Sequence, residues 1–537
     1  SEAAAGAQPV KKKVQSIELD QEQIDALLQR ASKNELEETD LDIIKALVQA
    51  ILLLQQAVDD KAASIKRLLR TIFGASSETT RKLFQEGQNN DREGTQDPSQ
   101  RPAPKEPPKG HGRNGKDDYT GAAKCTYPHQ SLKPGDICPL CGQGKVYPIK
   151  PKSPIRITAT APLTATIHEL ESLRCNCCLE VFTAAPPEDI GEEKYDEAAR
   201  SMIAILKYGS GFPFHRLEKL QESLGIPLPA ATQWDLVEQD GTQLLPVYDE
   251  LIRQAAQGEV VHNDDTNMKI QQLIKENKEA GPQRKGMFTT GIVSVLQGRH
   301  IALFATGRQH AGENLEEILK KRDHNLPPPI HMCDALARNI PKGLQTIVAN
   351  CLTHGRRNFV DILDNFPDEC RYVIEQLAIV YKNDDIAKKQ GLSAQERLVW
   401  HQQESGPVMS ELKSWAWAQL EEKKAEPNSG LGKALAYMQK HWDPLTLFLK
   451  QPGAPLDNNI CERALKKAIQ HRKNSLFYRT LHGARIGDLF MSLIHTCQLN
   501  KVNSFDYLTQ LQKNIQEALA APQKWMPWNY RQNLPNE

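Results

Sequence analysis

The chain lacks a long hydrophobic run. No stretch of about 18 consecutive apolar residues occurs, and the densest apolar segment, Ala50 to Leu54, lies inside an amphipathic pattern. A membrane-spanning helix is therefore not predicted. The segment from Ser1 to Lys13 is small, polar and basic, and it has none of the apolar core of a secretory signal. We therefore expect no export signal in this segment.

The sequence also lacks an excess of charge of either sign. It contains 67 Lys and Arg against 67 Asp and Glu, so the overall charge says nothing about nucleic acid, and local charge has to be examined instead. At 537 residues the chain is too long for one core, and about three or four domains are expected. Eleven cysteines without an export signal predict a reducing, cytoplasmic location, where paired cysteines are metal ligands rather than disulfides.

A heptad pattern near the N-terminus predicts a coiled coil. β-Branched residues occupy every a position, and all but one of the d positions are Leu, which favours a parallel two-stranded coil. The seam consists of Ile44, Leu47, Ile51, Leu54, Val58, Lys61, Ile65, Leu68 and Ile72. Residues 1–84 are thus predicted to be a helical dimerisation region. The alternative is a helix packed on the core of its own domain.

Two C-x-x-C pairs predict a zinc site. A Pro-, Gly- and charge-rich linker over 85–123 precedes a compact module over 124–185. Four thiolates from two such pairs close a tetrahedral shell around Zn²⁺, which makes the site structural, because no position stays open for water. The predicted ligands are Cys138, Cys141, Cys175 and Cys178, with Cys177 competing for the last position and Cys125 and His129 as lesser candidates.

The rest of the chain alternates between helical and strand-like patterns. The predicted units are a helical, possibly DNA-binding domain over 186–257, a first part of an α/β core over 258–359, a helical insertion over 360–450, a second part of the core over 451–500 and a helical tail over 501–537. Within the core, residues 335–344 and 457–470 are predicted to be helical. Helices around Phe214 to Trp234 are compatible with a helix-turn-helix, but ordinary packing is the favoured interpretation.

Three acidic residues occur in a specific order relative to the strands and helices of this core. Asp264 ends an apolar run, Asp334 ends another after two longer strands and a helix, and Glu462 lies near the start of a late helix. A ribonuclease-H-like fold brings such acids together, where carboxylates can hold two Mg²⁺ ions about 4 Å apart. Each acid alone is typical of a solvated strand end, so the prediction rests on their order.

The chain resembles the transposases of the insertion sequence 66 family over almost its entire length. His262-Asn-Asp-Asp-Thr266 stands where the family has an Asp-Glu-Thr, and Asp265 replaces the usual Glu. Ala335 follows Asp334 where many members have Gly. The similar segments are Leu68 to Gly74, Gly110 to Gly115, the cysteine module, Met332 to Asp334, and Asp457-Asn-Asn-Ile-Cys-Glu462-Arg463 with Arg472-Lys-Asn474.

The resemblance implies a DNA transposase with catalytic Asp264, Asp334 and Glu462. It implies a multidomain α/β fold with a ribonuclease-H-like core, a helical insertion, a coiled coil and a zinc ribbon. The expected cofactors are Mg²⁺ or Mn²⁺ and Zn²⁺. The implied reaction is attack by water at a transposon end, followed by attack of the freed 3′-OH on target DNA. The expected partners are the terminal inverted repeats, the target DNA, a second copy of the chain and accessory proteins of the same element, in the bacterial cytoplasm.

A run without acidic residues predicts DNA contacts beside Glu462. Seven Lys or Arg and no Asp or Glu occur between Arg463 and Gly487, and a cationic helix face next to a metal site would bind phosphates. The alternative is a solvated basic face. The predicted DNA-binding residues are Arg356, Arg357, Arg463, Lys466, Lys467, Arg472 and Lys473.

Two other functions remain open from the sequence. One is a metal-dependent nuclease that cuts DNA without joining it, and the other is a dimeric DNA-binding regulator without chemistry. Cys351 and His354 have a C-x-x-H spacing, but no second pair is evident. Cys351 is therefore predicted to be a core residue. His354 is predicted to lie behind the metal ligands or to be an ordinary structural histidine.

Overall fold

The computed structural model describes residues 27, 30, 31, 40, 43, 44, 132–137, 139–141, 143–147, 162–174, 181–185, 193–279, 281 and 284–534. The coiled-coil seam beyond Ile44, the linker over 85–123 and three of the four predicted zinc ligands lie outside these residues. Only Cys141 of those ligands is described, and it is exposed. The coiled coil and the zinc site therefore stay predictions. A small antiparallel pair, β1 (Ser172–Arg174) and β2 (Val181–Thr183), belongs to the predicted zinc module.

A five-stranded mixed sheet lies at the centre of the described chain. Its strands, numbered in chain order after β1 and β2 with their ranges given at the end of this paragraph, lie in the spatial order β5-β4-β3-β6-β7. Strand β4 is antiparallel to both β3 and β5, and β6 and β7 are parallel to β3. Gln297 and Gly298 connect β4 to β5, and both have positive φ, as a type I′ hairpin turn requires. The strands are β3 Val260–Asn267, β4 Phe288–Leu296, β5 Arg299–Gly307, β6 Ile330–Cys333 and β7 Ile347–Asn350.

Along the sequence, helices lie before, between and after the strands of this sheet. They are α1 Glu197–Ala204, α2 Phe214–Ser223, α3 Ala230–Gln243, α4 Leu245–Ala256, α5 Gln271–Glu279, α6 Ala311–Leu319, α7 Leu352–Val360, α8 Pro367–Lys389, α9 Ala394–Glu404, α10 Gly406–Glu421, α11 Gly430–Lys440, α12 Trp442–Leu445, α13 Asn459–Ser475, α14 Leu481–Leu499, α15 Ser504–Lys513 and α16 Ile515–Ala520. None of the helices in the described ranges is long and apolar enough to cross a membrane.

Helix α14 covers the outer edge of the sheet at β5. Its Asp488, Ser492 and Thr496 are spaced four residues apart, so they lie on one face of the helix. Their side-chain oxygens accept the backbone N–H groups of alternate β5 residues, at 2.7 Å for Thr306 and 3.0 Å for both Phe304 and Ala302. These bonds satisfy backbone donors that an edge strand would otherwise expose.

The insertion shares a hydrophobic core with the other edge of the sheet. Met332 of β6 and Ala349 of β7 are buried in the same cluster as α7, α8, α10 and α11. Within the insertion, the Asp384 side chain is 3% exposed and forms ion pairs with Arg397 and Lys388. Burial alone would raise the pKa of Asp384, but a hydrogen bond with His401 and the charges of Arg397 and Lys388 hold this pKa well below its usual range. Residues 360–450, where a helical pattern is predicted, contain α8 to α12.

One predicted helix is wrong. Residues 335–344 were expected to be helical, but they form only a short 3₁₀ turn, Ala337–Asn339, inside an irregular segment. Pro341 and Gly343 oppose a continuous helix. In addition, the buried Asn339 side chain donates a hydrogen bond to Asp334, which ties the segment to the end of β6. The helix predicted over 457–470 is present as α13, which begins at Asn459 and continues to Ser475.

Candidate active site

Parallel pairing of β3 and β6 places Asp264 and Asp334 side by side. The register pairs Val260 with Ile330 and His262 with Met332, so the same offset puts Asp264 level with Asp334, directly after β6. Neighbouring strands lie about 4.8 Å apart, and residues that are level in a parallel pair project to the same face. Both carboxylates are therefore presented together at the edge where β3, β6 and β7 end.

Helix α13 brings Glu462 against the same part of the sheet. Gly291 of β4 pairs with Asp264, and its missing side chain lets α13 approach closely. A Cβ at this position would lie 2.9 Å from the Leu465 Cγ. The Cys461 thiol, one residue before Glu462, donates a hydrogen bond to the Gly291 carbonyl at 3.2 Å. The acids at 264 and 462 are thus held close through the glycine between them.

A buried hydrogen-bond network connects the elements that carry the three acids. The Asn458 side chain donates to the Asn263 carbonyl at 3.0 Å, and its oxygen lies 3.1 Å from the His262 Nδ1. The Asn263 side chain in turn donates to the Asn339 carbonyl and pairs with His331 Nε2 at 2.9 Å. Burial lowers the pKa of His262 to about 4 and that of His331 to about 3, so both rings are neutral at pH 7.

The three acids repel one another electrostatically. Burial is the first cause that raises the pKa of Asp264 to about 7, and the charges of Asp334, Asp265 and Glu462 add to it. The backbone N–H of Asp265 opposes this rise through a 2.8 Å hydrogen bond to the Asp264 carboxylate. Glu462 Oε1 is buried and has no hydrogen-bond partner. A cluster of half-buried carboxylates is a donor set that suits hard divalent cations.

Asp265 is held away from this centre. Successive strand residues point to opposite faces of a sheet, and the Asp265 side chain is only 2% exposed. His310 Nδ1 lies 2.9 Å from one of its carboxylate oxygens, and Arg338 Nη2 lies 3.3 Å from the other. Asp265 therefore joins α6 and the 335–344 segment to β3, on the side of the sheet away from Asp264.

His354 and Cys351 lie next to Glu462. His354 Nδ1 is 3.7 Å from Glu462 Oε1, and the Cys351 Sγ belongs to the same group of atoms, which lie within 4.8 Å of one another. The Cys351 thiol is fully buried and accepts the backbone N–H of Asn458 at 3.3 Å. Burial raises the pKa of Cys351 to about 12.

The predicted DNA-binding residues differ in their surroundings. Arg463, Lys466 and Lys473 are exposed on α13, and Lys467 is half-buried. Arg472 instead donates to the Thr266 hydroxyl and to the Asn267 carbonyl, so it fastens α13 to the end of β3. On α7, the Arg356 side chain is 8% exposed and Arg357 is half-buried. The exposed cations of this set therefore lie on α13.

The supporting polar residues were not recognised from the sequence. Asn458, His262, Asn263, His331 and Asn339 contribute no charge and show no ligand spacing, so their residue types carried no signal. The Asp457-Asn-Asn motif gives Asn458 no role of its own, although Asn458 is the residue that connects α13 to β3 and to Cys351.

The mixed sheet carries three acids that converge at one end, and comparison with known proteins assigns the chain to a nucleic-acid-processing class of enzyme. The family profile described as "Transposase IS66 family" matches residues 194–486, which is more than half of the chain, and the chain belongs to that family. It is 27% identical to the uncharacterized protein y4hP of Sinorhizobium fredii over 74% of each chain. It is also 26% identical to the uncharacterized protein y4jD of that organism, over 62% of this chain and 66% of the relative.

Proposed function

We propose that this protein is a DNA transposase that cuts DNA at the ends of an insertion sequence and joins those ends to target DNA. The observation that carries the proposal is the convergence of Asp264, Asp334 and Glu462 at one edge of the sheet. The antiparallel β3-β4-β5 meander, continued by parallel β6 and β7, supports a ribonuclease-H-like core with residues 360–450 inserted before the helix that carries Glu462.

The three carboxylates would hold two Mg²⁺ or Mn²⁺ ions. When bound, these ions supply Lewis-acid activation of the attacking oxygen and neutralise charge on the phosphate. Asp264 and Asp334 project together from adjacent strands, and Glu462 closes the site from α13. The neutral His262 and Asn458 fix the position of α13 relative to β3 without adding charge to the site.

Exposed cations on α13 would bind the DNA backbone next to the reacting phosphate. Lys466 lies one helical turn beyond Glu462 and Lys473 lies eleven residues beyond it, so all three are on one side of the helix. Their attraction to phosphates is independent of base sequence and depends on salt. The DNA ends would thus be held by charge near the carboxylates.

Further features complete the proposal. Two ends must be held together for joining, so the active form is at least a dimer, with the predicted coiled coil over residues 44–72 as its contact. Cys138, Cys141, Cys175 and Cys178 would hold a structural Zn²⁺. The enzyme would act in the bacterial cytoplasm, where chromosomal target DNA is present.

The experiment is a joining assay with pre-cut element ends, a supercoiled plasmid and Mg²⁺ or Mn²⁺. We compare the wild type with Glu462→Gln and with Glu421→Gln, a substitution at an exposed acid in the insertion. Joined products from the wild type and Glu421→Gln, but not from Glu462→Gln, support the proposal. Nicking without joining would indicate a nuclease instead. Joining by Glu462→Gln at the wild-type rate would contradict the assigned site.

A further inference from the structure

His354 and Glu462 present two buried polar atoms to each other without a hydrogen bond. The His354 Nδ1 and the Glu462 Oε1 both lack a hydrogen-bond partner, and each side chain is 26% exposed. Leaving a buried polar atom unsatisfied costs about 1–3 kcal/mol, so two such atoms facing one another need an explanation. A shared ligand between them would satisfy both.

The fold places His354 at the same edge as the three acids. The strand β7 runs parallel to β6 and ends at Asn350, and the Cys351 N–H donates to the Cys333 carbonyl at 3.0 Å, next to Asp334. The helix α7 then begins, with His354 in its first turn. The carboxyl ends of β3, β6 and β7 therefore contribute Asp264, Asp334 and His354, in that order across the sheet.

Backbone contacts fix His354 relative to Glu462. The Leu352 N–H donates to the Leu456 carbonyl at 2.9 Å, and the Asn458 N–H donates to the Cys351 thiol at 3.3 Å. These two bonds join the start of α7 to the segment that leads into α13. These bonds hold the backbone before His354 close to the backbone before Glu462, where Nδ1 and Oε1 lie 3.7 Å apart.

That separation matches two ligands of one metal ion. It is too long for a hydrogen bond, whereas two ligand atoms that are each about 2.1 Å from an ion lie roughly 3–4 Å apart. Among the three side chains of the group, Cys351 is the one already engaged, because its sulfur is fully buried and accepts the Asn458 N–H. The imidazole of His354 is the side chain that remains available.

We propose that His354 is a fourth protein ligand of the metal centre and binds, through Nδ1, the ion that Glu462 holds. This inference rests on the proposed transposase function. A nitrogen ligand suits Mn²⁺ and later transition metals better than Mg²⁺, which prefers oxygen. Metal binding by Glu462 and His354 is therefore expected to favour Mn²⁺ over Mg²⁺.

The test uses the full-length protein and Mn²⁺ itself, and it needs no DNA. Pulsed electron paramagnetic resonance detects nitrogen bound directly to Mn²⁺, and titration with Mn²⁺ or Mg²⁺ gives the affinities. The variants are His354→Gln, Glu462→Gln, Asp264→Asn and, as a matched control, His324→Gln at an exposed loop histidine. Circular dichroism and thermal unfolding check that each variant is folded.

We expect a nitrogen signal in the wild type and in His324→Gln that is absent in His354→Gln. The His354→Gln change should weaken Mn²⁺ binding by about tenfold or more, on the scale of lost metal-site groups, and should affect Mg²⁺ much less. An unchanged nitrogen signal and an unchanged Mn²⁺ affinity in folded His354→Gln would overturn the inference about His354. Loss of metal binding in Asp264→Asn and Glu462→Gln would in that case still support the proposed function. Unchanged metal binding in those two variants would instead overturn the proposed function.

Discussion

Replacing Gly291 with Ala should separate the acids without removing any of them. Gly291 is opposite Asp264 in the β3–β4 pair and lies under α13. The added Cβ would be 2.9 Å from the Leu465 Cγ, closer than real Cβ contacts allow, and 3.0 Å from its Cδ2. Leu465 is 3% exposed, so its side chain has no free space to enter. We therefore expect α13 to move away from the sheet and to carry Glu462 with it.

The size of the effect follows from the crowding. Extra volume in a packed core costs about 1–3 kcal/mol of the free energy of unfolding. A displacement of about 1 Å at a catalytic group can lower the rate by about 10²-fold. Urea unfolding and the joining assay would measure the two quantities. Gly307→Ala is the matched control, because a Cβ at this β5 glycine meets no atom within 4 Å.

A second substitution separates crowding from other causes. Leu465→Ala removes the atoms that the new Cβ would strike, so the effects of Gly291→Ala and Leu465→Ala on unfolding should be less than additive. Equal stability and equal joining rates for Gly291→Ala and the wild type would refute the reasoning. Full additivity in the double variant would show that contact with Leu465 is not the cause.

Three further predictions concern the charge, the support and the surface of the site. Asp264→Asn should stabilise the metal-free protein. The Asp264 carboxyl has a pKa near 4 in the unfolded chain and about 7 in the folded protein, so its ionisation destabilises the fold progressively over that pH range. Thermal unfolding with a chelator should therefore show a larger increase in stability from Asp264→Asn at pH 8 than at pH 5. Equal increases at the two pH values would contradict the raised pKa. Asn458→Ala should lower the free energy of unfolding by about 1–3 kcal/mol, because it leaves His262 and the Asn263 carbonyl without their hydrogen-bond partner. It should also slow joining. An unchanged free energy of unfolding in urea would refute this role of Asn458. Lys466→Ala and Lys473→Ala should each reduce by about one the slope of log affinity for DNA against log salt, and an unchanged slope in filter binding would place these cations outside the interface.

The order of the acids along the chain was enough to predict which of them meet. Asp334 directly follows β6, whereas Asp264 lies within β3, which continues to Asn267. The parallel pairing of the two strands places these two acids level with each other. Strand alternation also separates Asp264 from Asp265, although the partners of Asp265 depend on distant residues. His310 and Arg338 reach it from elements that only the folded chain brings near.

The parts that were missed depend on tertiary contacts. Residues 335–344 had a helical pattern, but the bond from Asn339 to Asp334 and the breaks at Pro341 and Gly343 favour an irregular segment. Arg472 has the charge of a DNA contact, yet the end of β3 uses its donors. A side chain's residue type does not show whether its hydrogen bonds go to solvent, to DNA or to another strand.

We propose that Asp264, Asp334 and Glu462 hold the metal ions that drive joining. A metal-switch experiment tests it most directly, with Asp334→Cys assayed for joining in Mg²⁺ and in Mn²⁺ beside Asp235→Cys, a substitution at an exposed residue of α3. A thiolate binds Mn²⁺ better than Mg²⁺. We therefore predict that Asp334→Cys loses joining in Mg²⁺ and regains part of it in Mn²⁺, while Asp235→Cys joins in both. Joining by Asp334→Cys in Mg²⁺ at the wild-type rate would contradict the account.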